Sequence, residues 1–390
     1  MNNIKKKKIC VVTTNRADYV KLKSVLEFLS KDPDVELLTI VTGSHLLRNY
    51  DNTVDLIRSD GFPVSYTTYI EVDGRIPVTM AKSAGLATSE FATAFHNLNP
   101  DIVVLHGDRF ETLAAAVAAS LMNLSIVHIE GGEITGTIDE HIRHAITKLA
   151  HFHFPATKQA QVNILKLGEK PENVFCVGCP GVDNLLKAPH MSLEKLEDQV
   201  NKSVKEKKRV NIQNGFLLCV QHPVTTEYGQ GDVHVKETLE ALLKSGKETI
   251  ILWPNIDAGA DDISQTMRVF LLRPEVDKVT VFRNFIPDIF LNLLKHASVM
   301  VGNSSSGIRE AGYFGTPVVN IGTRQIGRIY GKNVINAGYN RNEIFSAIQK
   351  QLKHGRYKPE YLYGKGGAGK KIARILKSVD TSAIQKRLSY

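Results

Sequence analysis

The sequence predicts an α/β protein of two doubly wound domains facing a central cleft. Three observations carry this. The chain has 390 residues, enough for two domains. In both halves short apolar runs rich in Val and Ile alternate with amphipathic helical patterns, as in parallel sheets covered on both faces. A polar, Lys-rich stretch at 193–214 separates the two series. The expected division is a first domain over 1–187, a linker or helical segment over 188–214 and a second domain over 215–369. A C-terminal helix over 370–390 is expected to pack back on either domain.

In the first half, strands are predicted at 9–14, 35–42, 102–106, 125–130, 151–155 and 174–177. Helices are predicted between them at 19–30, 78–97, 110–122, 139–149 and 158–167. In the second half, strands are predicted at 216–221, 249–254, 279–282, 299–302 and 318–321. Ligands of such sheets bind outside the carboxyl ends of the strands, so the residues just after each strand are the site candidates. In the first half these are Asn15-Arg16, Gly43-Ser44-His45, Gly107-Asp108-Arg109 and Glu130-Gly131-Gly132-Glu133. In the second they are His222-Pro223-Val224, Asn255-Ile256-Asp257, the run from Asn303 to Gly307, and Gly322-Thr323-Arg324-Gln325.

Composition narrows the class. Hydrophobic residues at 43% and charged residues at 23% exclude a disordered or fibrous chain. No window approaches the ~18 consecutive apolar residues of a membrane span, so no membrane partner is expected. The opening MNNIKKKKICVVTT reads as a first strand and not as a signal peptide, and 4 cysteines make no disulfide scaffold. A reducing cytoplasm is the expected compartment. Lys+Arg 49 against Asp+Glu 40 give a formal charge of +9, concentrated at 5–8, at 202–209 and in the tail from 365. Without a nucleic-acid-binding motif or interleaved aromatics, this charge predicts no nucleic-acid partner and suits a small anionic substrate.

Three motifs read as structural. G-K-G-G-A-G-K at 364–370 has P-loop spacing but is followed by Lys371 where a hydroxyl must bind Mg²⁺, so a Gly-rich turn before a helix is expected. Cys176 and Cys179 lack the second pair of a zinc site. The histidines at 141, 144, 151 and 153 lack metal-ligand spacing.

Two patterns carry chemistry. Asn303-Ser304-Ser305-Ser306-Gly307 follows a strand, with a helix expected to start near Gly307; helix amides beside hydroxyls form a phosphate site, or an ordinary N-cap. Arg16 could supply a cation from the opposite wall. Asp108, Glu130, Glu133, Asp139 and Glu140 stand at or just past neighbouring strand ends. Clustered carboxylates beside an anion site suit acid/base chemistry, although Asp139 and Glu140 also suit a helix N-terminus.

Eight motifs then fall in order along nearly the whole chain: N-R-A-D-Y (15–19), H-G-D-R (106–109), H-I-E-G-G-E (128–133), G-T-I-D-E-x-I-R-H-A-I-T-K (136–148), Q-H-P-V-T-T (221–226), P-N-I-D-A-G (254–259), G-N-S-S-S-G-I-R-E (302–310) and G-T-R-Q-I-G-R (322–328). Together they resemble the hydrolysing UDP-N-acetylglucosamine 2-epimerases, the bacterial sialic-acid/capsule type and the epimerase half of the vertebrate bifunctional epimerase/kinase. The resemblance implies a GT-B-like fold of two Rossmann-like domains and the conversion of UDP-GlcNAc and water to N-acetylmannosamine and UDP, through elimination to 2-acetamidoglucal. It implies no cofactor and no metal, a UDP-sugar as substrate, and a homodimer or homotetramer, for which the helix at 78–97 is apolar enough to serve as an interface.

By the same resemblance Asp108, Glu130, Asp139 and His222 are the catalytic residues. Ser304, Ser305 and the helix start at Gly307 take the diphosphate with Arg16, and Glu310 takes the ribose hydroxyls. Arg109, Asn255 and Arg324 carry over as further substrate-binding residues, with Glu133 and His45 as secondary candidates. Non-hydrolysing relatives resemble H-x-E-A-G-x-R where this chain has H-I-E-G-G-E-I, which favours the hydrolysing branch. Val20 replaces a vertebrate Ser, and Gln265 and Arg268 stand at the two arginines linked to feedback by CMP-sialic acid. The alternatives are the same reaction on a UDP-2,4-diacetamido-trideoxyhexose, a non-hydrolysing epimerase, and a GT-B glycosyltransferase.

Overall fold

The computed structural model describes residues 6–48, 52–204, 209–382, 384–387 and 389. Lys5 of the first basic run and residues 205–208 of the expected linker lie outside them.

The first sheet contains β1 (Lys7–Thr13), β2 (Val35–Thr42), β3 (Tyr66–Thr68), β4 (Ile102–His106), β5 (Ser125–Ile129) and β6 (Phe152–Phe154). The second contains β7 (Phe216–Val220), β8 (Glu248–Leu252), β9 (Val279–Phe282), β10 (Val299–Gly302), β11 (Val318–Ile321) and β12 (Val334–Ala337). Their orders are β3-β2-β1-β4-β5-β6 and β12-β11-β10-β7-β8-β9. These are the same doubly wound arrangement, and every pairing is parallel. Each half has its switch point where the chain order reverses, between β1 and β4 and between β7 and β10. A crevice opens there at the strands' carboxyl ends.

Period-two alternation distributes side chains to two cores per sheet. Ile9 and Val11 pack with Leu22, Leu26 and Leu29 of the helix Arg16–Leu29. Cys10 and Val12 face the other way, against Phe91, Phe95 and Ala115. Leu218 and Val220 meet Leu196 and Val200 of the helix Leu193–Lys202, while Leu217 and Cys219 meet Leu239 and Leu242.

Three expectations need correction. Residues 174–177 form no strand: Val174 makes one bridge to His153, after which the chain turns so that Cys179 N–H donates to Tyr363 O at 2.8 Å. The strands at Tyr66–Thr68 and Val334–Ala337 were not predicted; both are short edge strands, the first Tyr-Thr-Thr and the second a Val-Ile pair broken by Asn336. The C-terminal helix covers Ala368–Ser378 only. Its end is fixed by Lys7 Nζ, which donates to Leu376 O at 2.9 Å and Val379 O at 2.6 Å. The turn-forming Asp380-Thr381-Ser382 follow. This helix packs Ile372 and Leu376 into the first half's core beside Ile9 and Leu26. Its N-terminal amides at Ala368 and Gly369 are taken by the Asp183 carboxylate at 3.2 and 2.8 Å. The P-loop-like run therefore presents its helix amides to an internal carboxylate. Among the described residues, no helix is long and apolar enough to cross a membrane.

Candidate active site

The carboxyl ends of both sheets border one cleft of about 840 Å³. The first half contributes Arg16 after β1, Asp108 and Arg109 after β4, Glu130 after β5, and Asp139. The second contributes His222 after β7, Asn255 after β8, Ser304 to Ser306 with Glu310 after β10, and Arg324 after β11.

The turn after β10 is built by two residues. Gly302 has φ +125°, and a Cβ there would run into the backbone of Val220, so β7 and β10 approach closely only with glycine. Buried Asn303 then fastens the two loops. Its Nδ2 donates to His222 O at 2.8 Å, and its Oδ1 accepts from His222 N–H at 2.7 Å. Ser304 caps the turn by accepting from Ser306 N–H at 3.3 Å. The expected helix at this point is a single turn, Ser305–Ile308, followed by a second at Ala311–Phe314. Anion binding here would rest on individual amides and hydroxyls, not on a long helix dipole. Gly307 does not line the cleft: it faces Val318 and Met300 of the sheet, and its N–H donates to Ser304 O at 3.1 Å. Glu310 does border the cleft; its buried Oε2 has no hydrogen-bond partner among the described residues, and burial raises its carboxyl pKa.

The carboxylates differ sharply in surroundings. Asp108 accepts from Arg143 Nε at 3.1 Å and lies 3.8 Å from Arg328 Nη2. Burial opposes its charge, but the guanidinium groups hold it well below the usual range. Glu130 occupies the left-handed region at φ +65°, a conformation costly for a side chain with a Cβ. Its Oε2 is met by Arg309 Nη1 at 2.7 Å, His106 Nε2 at 3.1 Å and Lys21 Nζ at 3.2 Å. These cations outweigh burial and keep it ionised. Asp139 begins the helix Asp139–Leu149. Burial, then the nearby Asp108 charge, raise it to about 6. His222 is pushed down to about 3 by burial and then Arg324, and its Nδ1 accepts from Asn255 N–H at 3.1 Å. The neutral ring therefore carries its proton on Nε2.

The cations largely bind protein groups. Arg109 pairs with Glu111 and, across the cleft, with Asp257 Oδ1 at 2.9 Å. Arg16 reaches across to Phe285 O at 2.5 Å and to Asn284 Oδ1. Arg324 donates to Asn303 O at 3.2 Å. The two secondary candidates are corrected. His45 is a core residue held by Thr13 Oγ1 at 3.0 Å and Thr53 Oγ1 at 2.7 Å, and burial lowers it to about 4. Glu133 sits behind the cleft in an ion network with Arg309 and with Arg328 Nε at 3.3 Å. Of the histidines set aside earlier, His153 binds Glu169 at 3.0 Å and His151 binds Ile384 O at 3.0 Å. No group of three metal ligands occurs among the described residues.

Reasoning from sequence did not single out Lys21, His106, Arg309 and Arg328, and the i, i+4 spacing of Asp139 and Arg143 suggested a plain salt bridge where Arg143 instead pairs with Asp108. His106, Arg143, Arg309 and Arg328 lie inside the recognised motifs, but their partners stand far away in sequence or in the other half.

Two doubly wound halves around a shared cleft make this a GT-B-like two-domain α/β protein. Solved structures agree. The UDP-GlcNAc 2-epimerase of Neisseria meningitidis, bound to UDP-GlcNAc, matches with TM-score 0.78 at 19% identity, over 95% of this chain and 99% of that one. The Methanocaldococcus jannaschii UDP-GlcNAc 2-epimerase, in complex with UDP-GlcNAc and UDP, also gives 0.78, at 20% identity over 95% and 99%. The family model described as UDP-N-acetylglucosamine 2-epimerase matches residues 27–377. In sequence the chain is 34% identical to the UDP-N-acetylglucosamine 2-epimerase of Neisseria meningitidis serogroup B, over 96% of each. It is also 34% identical to the hydrolysing UDP-N,N'-diacetylbacillosamine 2-epimerase of Legionella pneumophila, again over 96% of each. The chain belongs to the UDP-N-acetylglucosamine 2-epimerase family.

Proposed function

We propose that this enzyme hydrolyses UDP-GlcNAc to N-acetylmannosamine and UDP with inversion at C2, the entry reaction of sialic-acid synthesis. The observation that carries the reading is one cleft with Asp108, Glu130 and Asp139 on one wall and the serine turn with Glu310 on the other. In this account Ser304, Ser305 and Arg324 bind the diphosphate, with Arg16 and Asn255 beside it. Glu310 accepts from the ribose hydroxyls, which supply the donors its Oε2 lacks. Arg109 closes the cleft through Asp257 and orients Glu111.

C2–H of the sugar has no neighbouring carbonyl and is not acidic. Departure of UDP, aided by a hydrogen bond from His222 Nε2–H, leaves oxocarbenium character at C1 and makes C2–H strongly acidic. A weakly basic, firmly ionised carboxylate then suffices as base, and Glu130 fills that part. Water adds at C1 of the glycal while Asp139 delivers a proton to C2 from the opposite face and recovers one from the water. The proton left on Glu130 returns to solvent as UDP departs with the negative charge. Asp108, fixed between Arg143 and Arg328, raises the proton affinity of Asp139 and supports the developing positive charge.

The hydrolysing branch is supported at Gly131. The Ala of the non-hydrolysing pattern would bring a Cβ to 2.8 Å from both His128 Nδ1 and Thr147 Oγ1. Ile134 stands where that pattern has Arg.

Accumulation of free UDP with free N-acetylmannosamine in equal amounts is the expected result; UDP-N-acetylmannosamine without UDP contradicts it. Parallel turnover of a UDP-2,4-diacetamido-trideoxyhexose tests the sugar, and a higher kcat/KM there would move the assignment to that substrate. Glu310→Gln keeps the shape and removes the charge-assisted acceptor. Its KM for UDP-GlcNAc is expected to rise about 10- to 100-fold with kcat nearly unchanged, measured by UDP release.

A further inference from the structure

His106, the last residue of β4, is a buried titratable group that the mechanism above leaves unused. Both of its ring nitrogens face carboxylates: Nδ1 lies 2.6 Å from Asp18 Oδ1, and Nε2 lies 3.1 Å from Glu130 Oε2. A neutral imidazole has one N–H and one lone pair, so one of these contacts would set lone pair against lone pair. A ring with both protons satisfies both. Asp18 is itself fixed in one orientation. Its Oδ2 accepts from Thr14 N–H at 3.0 Å and Thr14 Oγ1 at 3.2 Å.

We propose that Asp18 and His106 are a positioning pair for Glu130: Asp18 keeps the His106 ring doubly protonated, and the imidazolium holds Glu130 ionised and in one orientation at the cleft. This rests on the role given to Glu130 above. The charged and titratable groups facing the ring come from three elements. The helix Arg16–Leu29 supplies Asp18 and Lys21, β5 and its turn supply His128 and Glu130, and the second half supplies Arg309. Lys21 and Arg309 share Glu130 with His106. His128 is buried and held near 3 by burial and neighbouring cations, so it stays neutral. Burial works against a charged His106, but Glu130 and Asp18 outweigh it and hold the ring at about 9.

The test follows the His106 ring by NMR in the full-length, histidine-labelled enzyme without substrate, alongside pH profiles of UDP release. In the wild type the ring is expected to stay doubly protonated beyond pH 8. In Asp18→Asn, which keeps the shape and removes one charge, it titrates about two pH units lower. The kcat of Asp18→Asn is then expected to fall about tenfold at pH 8 and to recover toward pH 6.5, with KM within about threefold. His106→Gln loses about 100-fold in kcat at every pH, and adding Asp18→Asn to it costs nothing more. A wild-type ring that titrates below pH 7 overturns the pair without any variant, as does an Asp18→Asn pH profile superimposable on the wild type. If the wild type releases no UDP from UDP-GlcNAc, the proposed reaction falls, and the ring titration still decides the pair.

Discussion

Glu130→Gln is expected to lower kcat for UDP release by about 10³-fold while the KM for UDP-GlcNAc stays within about threefold. The amide keeps the volume and the left-handed turn but cannot accept the C2 proton. Its surroundings show which oxygen the chemistry would use. Lys21, His106 and Arg309 all meet Oε2, which leaves Oε1 outside that set of contacts. The Gln oxygen can still accept from one of those donors. Glu130→Asp provides the control: the charge remains, the carboxylate withdraws by one methylene, and a partial loss is expected. Steady-state kinetics on both variants, with circular dichroism to check folding, decide the point. Native kcat in Glu130→Gln would remove it from the mechanism.

Arg309→Met should have the largest effect on stability. The Arg309 side chain is 3% exposed and binds Glu130 at 2.7 Å and also Glu133, with its guanidinium 4.9 Å from the Tyr363 ring centre. It comes from the second half and both carboxylates come from the first, so it ties the halves together behind the cleft. Removing one member of a buried ion cluster leaves the others uncompensated and costs about 3–5 kcal/mol. The pH dependence separates this from lost packing. In the wild type the cations overcome burial and depress both carboxyl groups, so their stabilisation is present above the usual carboxylate range and is lost as pH falls through the folded values. In the variant the first of these cations is gone and burial weighs more heavily against both charges, so its deficit should be widest near pH 7.5 and shrink toward pH 5. Urea denaturation at the two pH values measures this. A pH-independent deficit under about 1 kcal/mol would count against the ion cluster.

Particular residues mark where sequence reasoning reached and where it stopped. The central strands were legible because a strand buried on both faces is a nearly continuous apolar run, as in Ile102–His106 and Phe216–Val220. The edge strands Tyr66–Thr68 and Val334–Ala337 were not, since an edge needs no such run. Asp108 and Glu130 were legible as cleft residues because the doubly wound fold puts whatever follows β4 and β5 at the cleft. That Gly307 faces the sheet was not legible, because a one-turn helix has no period from which to read its faces. The largest omission was electrostatic. A sequence displays Arg309 and Glu133, 176 positions apart, without displaying that they touch. The relative basicity of Glu130 and Asp139 follows from burial together with such contacts.

The central claim is that UDP leaves, the C2 proton is exchanged and water enters at C1. Proton NMR of the reaction with UDP-GlcNAc in D₂O tests it most directly. The account predicts free N-acetylmannosamine carrying deuterium at C2, appearing in step with free UDP. N-acetylmannosamine that retains its C2 proton, or a UDP-linked product with no release of UDP, would contradict it.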